Sequence, residues 1–206
     1  MRIVFATGNE GKMREIRSIL GSLGTEILSM KEAGVDGDIV EDGTTFAENS
    51  MIKARGVYEL IKKADTEAAK ETIVLADDSG LEVDYLNKEP GIYSARYMGK
   101  DTSYVEKNNN IIERLAGVPD EKRTARFVCA ISAVLPNGKE LSTIGNMEGR
   151  IGYEIAGTGG FGYDPIFFLP QYGKTSAEIS ADEKNAISHR GQALREMAQL
   201  LKAELA

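Results

Sequence analysis

Apolar residues change their spacing repeatedly along the chain, and each change marks an element. Arg2-Ile3-Val4-Phe5-Ala6 is a short apolar run closed by a Gly/Asn loop, after which apolar side chains return at Met13, Ile16, Ile19, Leu20 and Leu23. A buried strand, a loop and an amphipathic helix follow from that switch in period. Thr45 and Glu48 have capping-box spacing ahead of a helix running to about Lys63, with Met51, Ile52, Ala54, Val57, Leu60 and Ile61 as its inner stripe. The acidic stretch from Asp36 to Asp42 leads into it. Thr66 to Glu71 is polar, then Thr72-Ile73-Val74-Leu75-Ala76 predicts a second buried strand ending at Asp77-Asp78-Ser79-Gly80. Leu81, Val83 and Tyr85 alternate with Glu82 and Asp84, the pattern of a half-buried strand before a Glu89-Pro90-Gly91 turn.

Thr102 or Ser103 then caps a helix with Tyr104, Ile111, Ile112 and Leu115 inside. Thr124 to Leu135 is the longest strand candidate, and Pro136-Asn137-Gly138 turns it into Glu140 to Ile144 as an antiparallel hairpin. After Gly145 come a further strand candidate, a glycine-dense loop from Gly157 to Gly162, a short strand Ile166-Phe167-Phe168, and a C-terminal helix around Leu194, Met197, Leu201 and Leu205. This order reads as α/β: a mixed central sheet with flanking helices, in two lobes around a cleft.

Composition narrows the class. A chain of 206 residues can bury about 70% of its unfolded surface, so one domain needs no disulfide or metal staple. A formal charge of −7 argues against nonspecific binding to nucleic acid or anionic membrane, and an anionic ligand therefore needs a local cluster of cations. Cys129, the only cysteine, lies in an apolar run where a small hydrophobe would serve equally well. With no long apolar segment and no signal-peptide pattern, the cytoplasm is the expected location.

Candidate chemistry begins in the first loop, Thr7-Gly8-Asn9-Glu10-Gly11-Lys12. A loop between a strand and a helix start brings backbone N–H groups and the positive helix end together, and Lys12 adds a full charge. It is shorter than the P-loop pattern, and Met13 stands where that motif has a magnesium-binding hydroxyl. A plain glycine turn with a solvated lysine explains the segment equally well. If polyphosphate binds there, magnesium must be held by carboxylates elsewhere. Asp77 and Asp78 are the natural candidates, and because successive strand residues face opposite ways they are not expected to share one job unless the turn begins between them. A turn bonding its own backbone is the alternative. Glu41 and Asp42 precede a capped helix, whose dipole already accounts for them, while Lys53 lies near Asn49 by helical spacing and would turn toward phosphate.

Farther along, Gly157 to Pro165 places Phe161 and Tyr163 in a backbone able to approach a ligand closely, which suits a stacked base or, equally, a loop plugged by aromatics. Lys184, His189 and Arg190 gather at or near the start of the last helix, as a site or as a surface helix end. His189 is the only imidazole, and no serine or cysteine nucleophile is flanked by a histidine and acid, so activated water is the expected agent.

Taken together, Thr7-Gly8-Asn9-x-x-Lys12, Ala76-Asp77-Asp78-Ser79-Gly80-Leu81, Ser94-Ala95-Arg96-Tyr97, Gly160-Phe161-Gly162-Tyr163-Asp164-Pro165 and Ser188-His189-Arg190 resemble the inosine/xanthosine triphosphate pyrophosphatase family, in order and over almost the whole chain. The resemblance implies one nucleoside triphosphate pyrophosphatase domain over residues 1–206 with a nucleotide-binding cleft. It implies hydrolysis of ITP, deoxy-ITP and XTP to monophosphate and pyrophosphate by a magnesium-dependent homodimer, with manganese as a possible substitute. Carried onto this sequence, it implies that Thr7, Gly8, Asn9, Glu10, Gly11 and Lys12 bind triphosphate and that Asp78 binds metal and activates water. Ser79 would contact substrate, and Glu41 would be the second metal ligand, with Asp42 or Asp77 competing. Lys53 and Lys184 would face phosphates or nearby parts of the nucleotide. Phe161, Gly162, Tyr163 and Asp164 would cradle the base, and His189 and Arg190 would read its edge. Ser50 departs from the small apolar residue expected there.

Overall fold

A computed structural model describes residues 1–205, apart from the side chains of Ser22 and Leu205. Seven strands form one mixed sheet in the order β2-β1-β3-β4-β5-β6-β7. They are β1 (Arg2–Phe5), β2 (Glu26–Ser29), β3 (Thr72–Val83), β4 (Thr124–Val134), β5 (Glu140–Ile151), β6 (Phe167–Leu169) and β7 (Lys174–Thr175). β1 pairs in parallel with both β2 and β3, whereas β6 is antiparallel to β5 and β7. The helices are α1 (Glu10–Leu20), α2 (Phe46–Ala64), α3 (Thr66–Ala69), α4 (Tyr104–Arg114), α5 (Ala181–Ile187) and α6 (His189–Leu205). Among the described residues, no helix is long and apolar enough to cross a membrane.

The chain divides into two units, one of Met1–Asp78, Cys129–Gly145 and Arg190–Ala206, the other of Ser79–Val128 and Asn146–His189. In the first, strand alternation splits the core between two sheet faces. Ile3, Phe5, Ile73, Leu75, Cys129 and Ile131 pack with Met13, Ile16 and Leu20 of α1 and with Leu194, Met197 and Leu201 of α6. Val4, Ala6, Val74 and Ala76 pack instead with Ala54, Val57 and Ile61 of α2. In the second unit, Leu81, Val83, Phe127, Met147 and Ile151 form a core with Ile111 and Leu115 of α4 and with Tyr163, Ile166 and Phe167.

Several boundaries differ from expectation. Asp77-Asp78-Ser79-Gly80 does not end a strand: β3 continues from Thr72 to Val83, and its two predicted halves are one strand. Tyr85 lies beyond it in a 3-10 turn and is exposed. Gly145 likewise interrupts nothing, because β5 carries a regular in-and-out pattern across it. Edge strands β2 and β7 and the short α3 and α5 were not anticipated, since four residues or fewer of strand give too little alternation to register. α5 is nevertheless announced by a full capping box between Ser180 and Glu183. At α2, Thr45 accepts the Glu48 N–H, but the Glu48 carboxylate returns to Thr44. Tyr104, expected inside, is 40% exposed.

Cys129 is fully buried, and burial pushes its thiol up to about 12. Native protein is therefore expected to resist an aromatic disulfide reagent at pH 8 and to release one equivalent of thiol only on denaturation. Rapid labelling without unfolding would contradict this packing.

Candidate active site

Because β3 passes straight through Asp77 and Asp78, the alternation that divides the core also divides the two carboxylates. Asp77 continues the Ile73 and Leu75 side toward α1 and α6, and Asp78 continues the Val74 and Ala76 side toward α2.

On the first side, Asp77 is 0% exposed and accepts from Lys12 Nζ at 3.0 Å and from Arg190 Nη2 at 3.3 Å. Burial pushes its pKa upward, but the charges of Lys12, Arg190 and Lys53 outweigh that and hold the carboxyl well below the usual range. Arg190 also donates to Glu15 at 2.5 Å, so α1, β3 and α6 are joined by two cations and two carboxylates. Burial alone would lower the Arg190 pKa; Asp77 and Glu15 help to raise it instead. Lys12 is aimed here by local structure. Asn9 is the N-cap of α1, its Oδ1 accepts the Lys12 N–H at 3.1 Å, and Thr7 Oγ1 accepts the Asn9 N–H at 3.1 Å. Glu10, Gly11 and Lys12 thus form the first helical turn rather than a loop, and first-turn amides lack intrahelical partners. Gly8 is exposed, and a Cβ added to it would meet nothing within 4 Å, so the protein itself leaves room there.

On the other side, Asp78 is hydrogen-bonded to the Asn49 side chain. Burial first, and the nearby charges of Glu41 and Asp77 after it, push its carboxyl up to about 6 against the opposing pull of Asn49 and Lys53. Lys53 donates to the Asp77 carbonyl at 3.3 Å and pairs with Glu41 at 2.9 Å. Asn49 Oδ1 also accepts the Gly43 N–H at 2.9 Å, which ties the acidic loop to α2. Glu41 is half-buried in this group, whereas Asp42 is exposed. Asp78 and Glu41 offer hard oxygen donors, and the raised Asp78 pKa marks a carboxylate that a cation would stabilise. One or two carboxylates, completed by phosphate oxygens and water, is the usual protein share of a magnesium site, so these residues fit that ion.

The second unit holds the glycine loop. Asp164 is buried and accepts from Lys184 Nζ at 2.6 Å, from Ser176 Oγ at 2.7 Å and from the Phe161 N–H at 2.8 Å. Gly160, at φ +67°, is required twice over, because a Cβ there would fall 2.1 Å from Asp164 Oδ2. Lys184 Nζ lies 5.0 Å from the Phe161 ring centroid, and Phe161 is 38% exposed. Tyr163 is buried, its hydroxyl donating to the Ser94 carbonyl at 2.7 Å. His189 is buried with its ring stacked on Phe127, centroids 5.0 Å apart. Ser79 follows Asp78 in β3, half-buried.

The structure therefore brings Lys12, Lys53, Glu41 and Asp78 together around one strand segment, and separately Phe161, Asp164 and Lys184. Arg190 has its guanidinium against Asp77 and Glu15, because a fully buried carboxylate demands a paired cation. Lys184, expected to face phosphates or nearby parts of the nucleotide, pairs with Asp164 and stands over the Phe161 ring. Asn49 and Glu15 were not singled out. Helical spacing relates each to a chosen residue, Asn49 to Lys53 and Glu15 to Lys12, and that was the available signal.

These features define an α/β protein with lysine–carboxylate groups on both sides of β3 where it runs past the C-terminal end of β1. The chain belongs to the Ham1 family, whose model matches residues 3–200. It is 47% identical to the dITP/XTP pyrophosphatase of Clostridium perfringens, over 99% of this chain and 98% of that one. Identity to the dITP/XTP pyrophosphatase of Escherichia coli O157:H7 is 46%, covering 98% of each chain. The structure of the Staphylococcus aureus Ham1 protein superposes with a TM-score of 0.85 at 36% identity, covering 99% of this chain and 100% of that one.

Proposed function

We propose that the protein is an enzyme that hydrolyses non-standard purine nucleoside triphosphates, namely ITP, dITP and XTP, to the monophosphate and pyrophosphate, clearing deaminated purines from the nucleotide pool. The observation that carries this reading is Lys53 set against Glu41 and Asp78, a cation for phosphate beside carboxylates for a metal and for water, with Lys12 on the Asp77 side of the same strand segment. Identity of 47% to a relative named dITP/XTP pyrophosphatase supports the substrate class.

In this reading Lys12, Lys53 and the amides of Thr7 to Lys12 grip the triphosphate. Asp78 and Glu41 would hold magnesium, or manganese, whose contribution when bound is to neutralise charge on the phosphates. Asp78 orients a water and takes its proton as the oxygen attacks the α-phosphorus and the bond to the bridging oxygen breaks, releasing pyrophosphate. Ser79 contacts the substrate beside it. The lysines steady the charge that grows on the leaving group. Phe161 supplies a ring face for the base, braced by Lys184 and Asp164. His189 meets the 6-oxo group where adenine would present an amino donor, a mismatch that discriminates strongly in a desolvated site. Arg190 acts through Asp77 as a strut for Lys12. The protein would work as a cytoplasmic homodimer, and its charge of −7 speaks against nucleic acid or anionic membrane as partners.

Incubation with ITP and magnesium is expected to release pyrophosphate. Orthophosphate as the first product would mean terminal-phosphate removal, and binding without product would mean a sensor.

A further inference from the structure

The Ser94-Ala95-Arg96-Tyr97 motif and the buried polar face of α4 have no part in the chemistry above, yet they meet at the glycine loop. Tyr104, Lys107 and Asn108 lie at i, i+3 and i+4 on α4, and therefore on one face of it. Lys107 and Asn108 are only 1% and 2% exposed, positions where an amphipathic helix would ordinarily carry apolar side chains. Lys107 Nζ donates to the Ala95 carbonyl at 2.7 Å and lies 4.9 Å from the Tyr104 ring centroid. Among the described residues no carboxylate pairs with it. Asn108 Nδ2 donates to the Gly162 carbonyl at 3.1 Å, and its Oδ1 has no donor among the described residues. The loop is reached again by Tyr104, whose ring packs edge-on against Tyr163 with centroids 5.3 Å apart. Tyr163 in turn donates to the carbonyl of Ser94, whose Oγ accepts the Leu81 N–H at 2.9 Å and so fastens the motif to β3.

Burying an ammonium and half-satisfying an amide both cost stability, and a helix that only filled a core would carry neither. Each of these groups instead grips a backbone carbonyl in or beside the loop. We propose that Asn108 is a positioning residue for base selection, holding the Gly162 carbonyl so that Phe161 is presented in one orientation, with Tyr163, Ser94 and Lys107 fixing the neighbouring backbone. This rests on the reading that Phe161 receives the purine base.

The test is Asn108→Asp, which keeps the shape and replaces the donor with a second acceptor facing the Gly162 carbonyl. Calorimetry is expected to show inosine monophosphate binding weakened about tenfold while inorganic triphosphate binding stays within about twofold. The preference for ITP over ATP in kcat/KM should fall at least about fivefold. If Asn108→Asp does not fold, Tyr163→Phe removes only the hydroxyl bond to Ser94 and should show the same split. Unchanged inosine monophosphate binding in a folded variant, equal weakening of both ligands, or no binding of inosine monophosphate to the wild type would each overturn the proposal. Which phosphate product the wild type releases from ITP is read separately, so failure of the proposed reaction is distinguished from failure of this one.

Discussion

Asp78→Asn is expected to leave a folded protein that still binds ITP but releases pyrophosphate about 10²-fold or more slowly, the scale of losing a group that acts on the developing charge. The reason is specific to its side of β3. Asp78 is the carboxylate that shares surroundings with Glu41, Lys53 and Asn49, and burial raises its pKa toward that of a proton acceptor useful near neutrality. An asparagine keeps the size and the contact with Asn49 but cannot take a proton or bind a cation as strongly. Steady-state kinetics with a pyrophosphate-coupled assay, alongside calorimetric binding of ITP, would check both halves. Turnover near the wild-type rate would remove Asp78 from the chemistry.

Asp77→Asn should fail differently, through stability. Its carboxylate is fully buried between Lys12 and Arg190, and removing one partner of a buried ionic group typically costs about 3–5 kcal/mol because uncompensated charge remains inside. The urea midpoint should fall accordingly. Lys12→Met combined with Asp77→Asn should recover part of the loss, since the stranded ammonium is gone, with a coupling energy of about 1 kcal/mol or more. Additive losses, or a single-variant cost under about 1 kcal/mol, would mean that Asp77 is not the pivot of this network. The neighbouring aspartates thus predict opposite phenotypes, one in turnover and one in folding.

Much of the fold was legible because its signals are local. Ile3 to Phe5 and Ile73 to Leu75 announce strands by run length, and Met13, Ile16 and Leu20 announce α1 by period. The capping box at Ser103 and Glu106 marks α4 in the same way. The carboxylate pair was also visible, and strand alternation already implied that Asp77 and Asp78 have separate tasks. Local composition misled at Asp77-Asp78-Ser79-Gly80, which has the residues of a turn yet runs as strand. Lys12, Arg190 and Asn49 supply from distant segments the partners that two inward carboxylates need. The carboxylates that pair with Arg190 and Lys184, Asp77 and Asp164, stand 113 and 20 residues away in sequence, so neither pairing shows in local spacing.

By itself, then, the sequence determined the alternation of strands and helices, the basic and acidic residues available for phosphate chemistry, and the likeness to a family that handles nucleotides. These depend on spacing and residue type, which the chain carries wherever it is read. Only the tertiary structure decided which charges meet. It turned Asp77 toward Lys12 and Arg190 and Asp78 toward Asn49, chose Glu41 over the exposed Asp42 as the acid beside Lys53, and set Asn108 under the Gly162 carbonyl. Pairing of buried charge depends on distance through space, and the fold, not the order of residues, sets that distance.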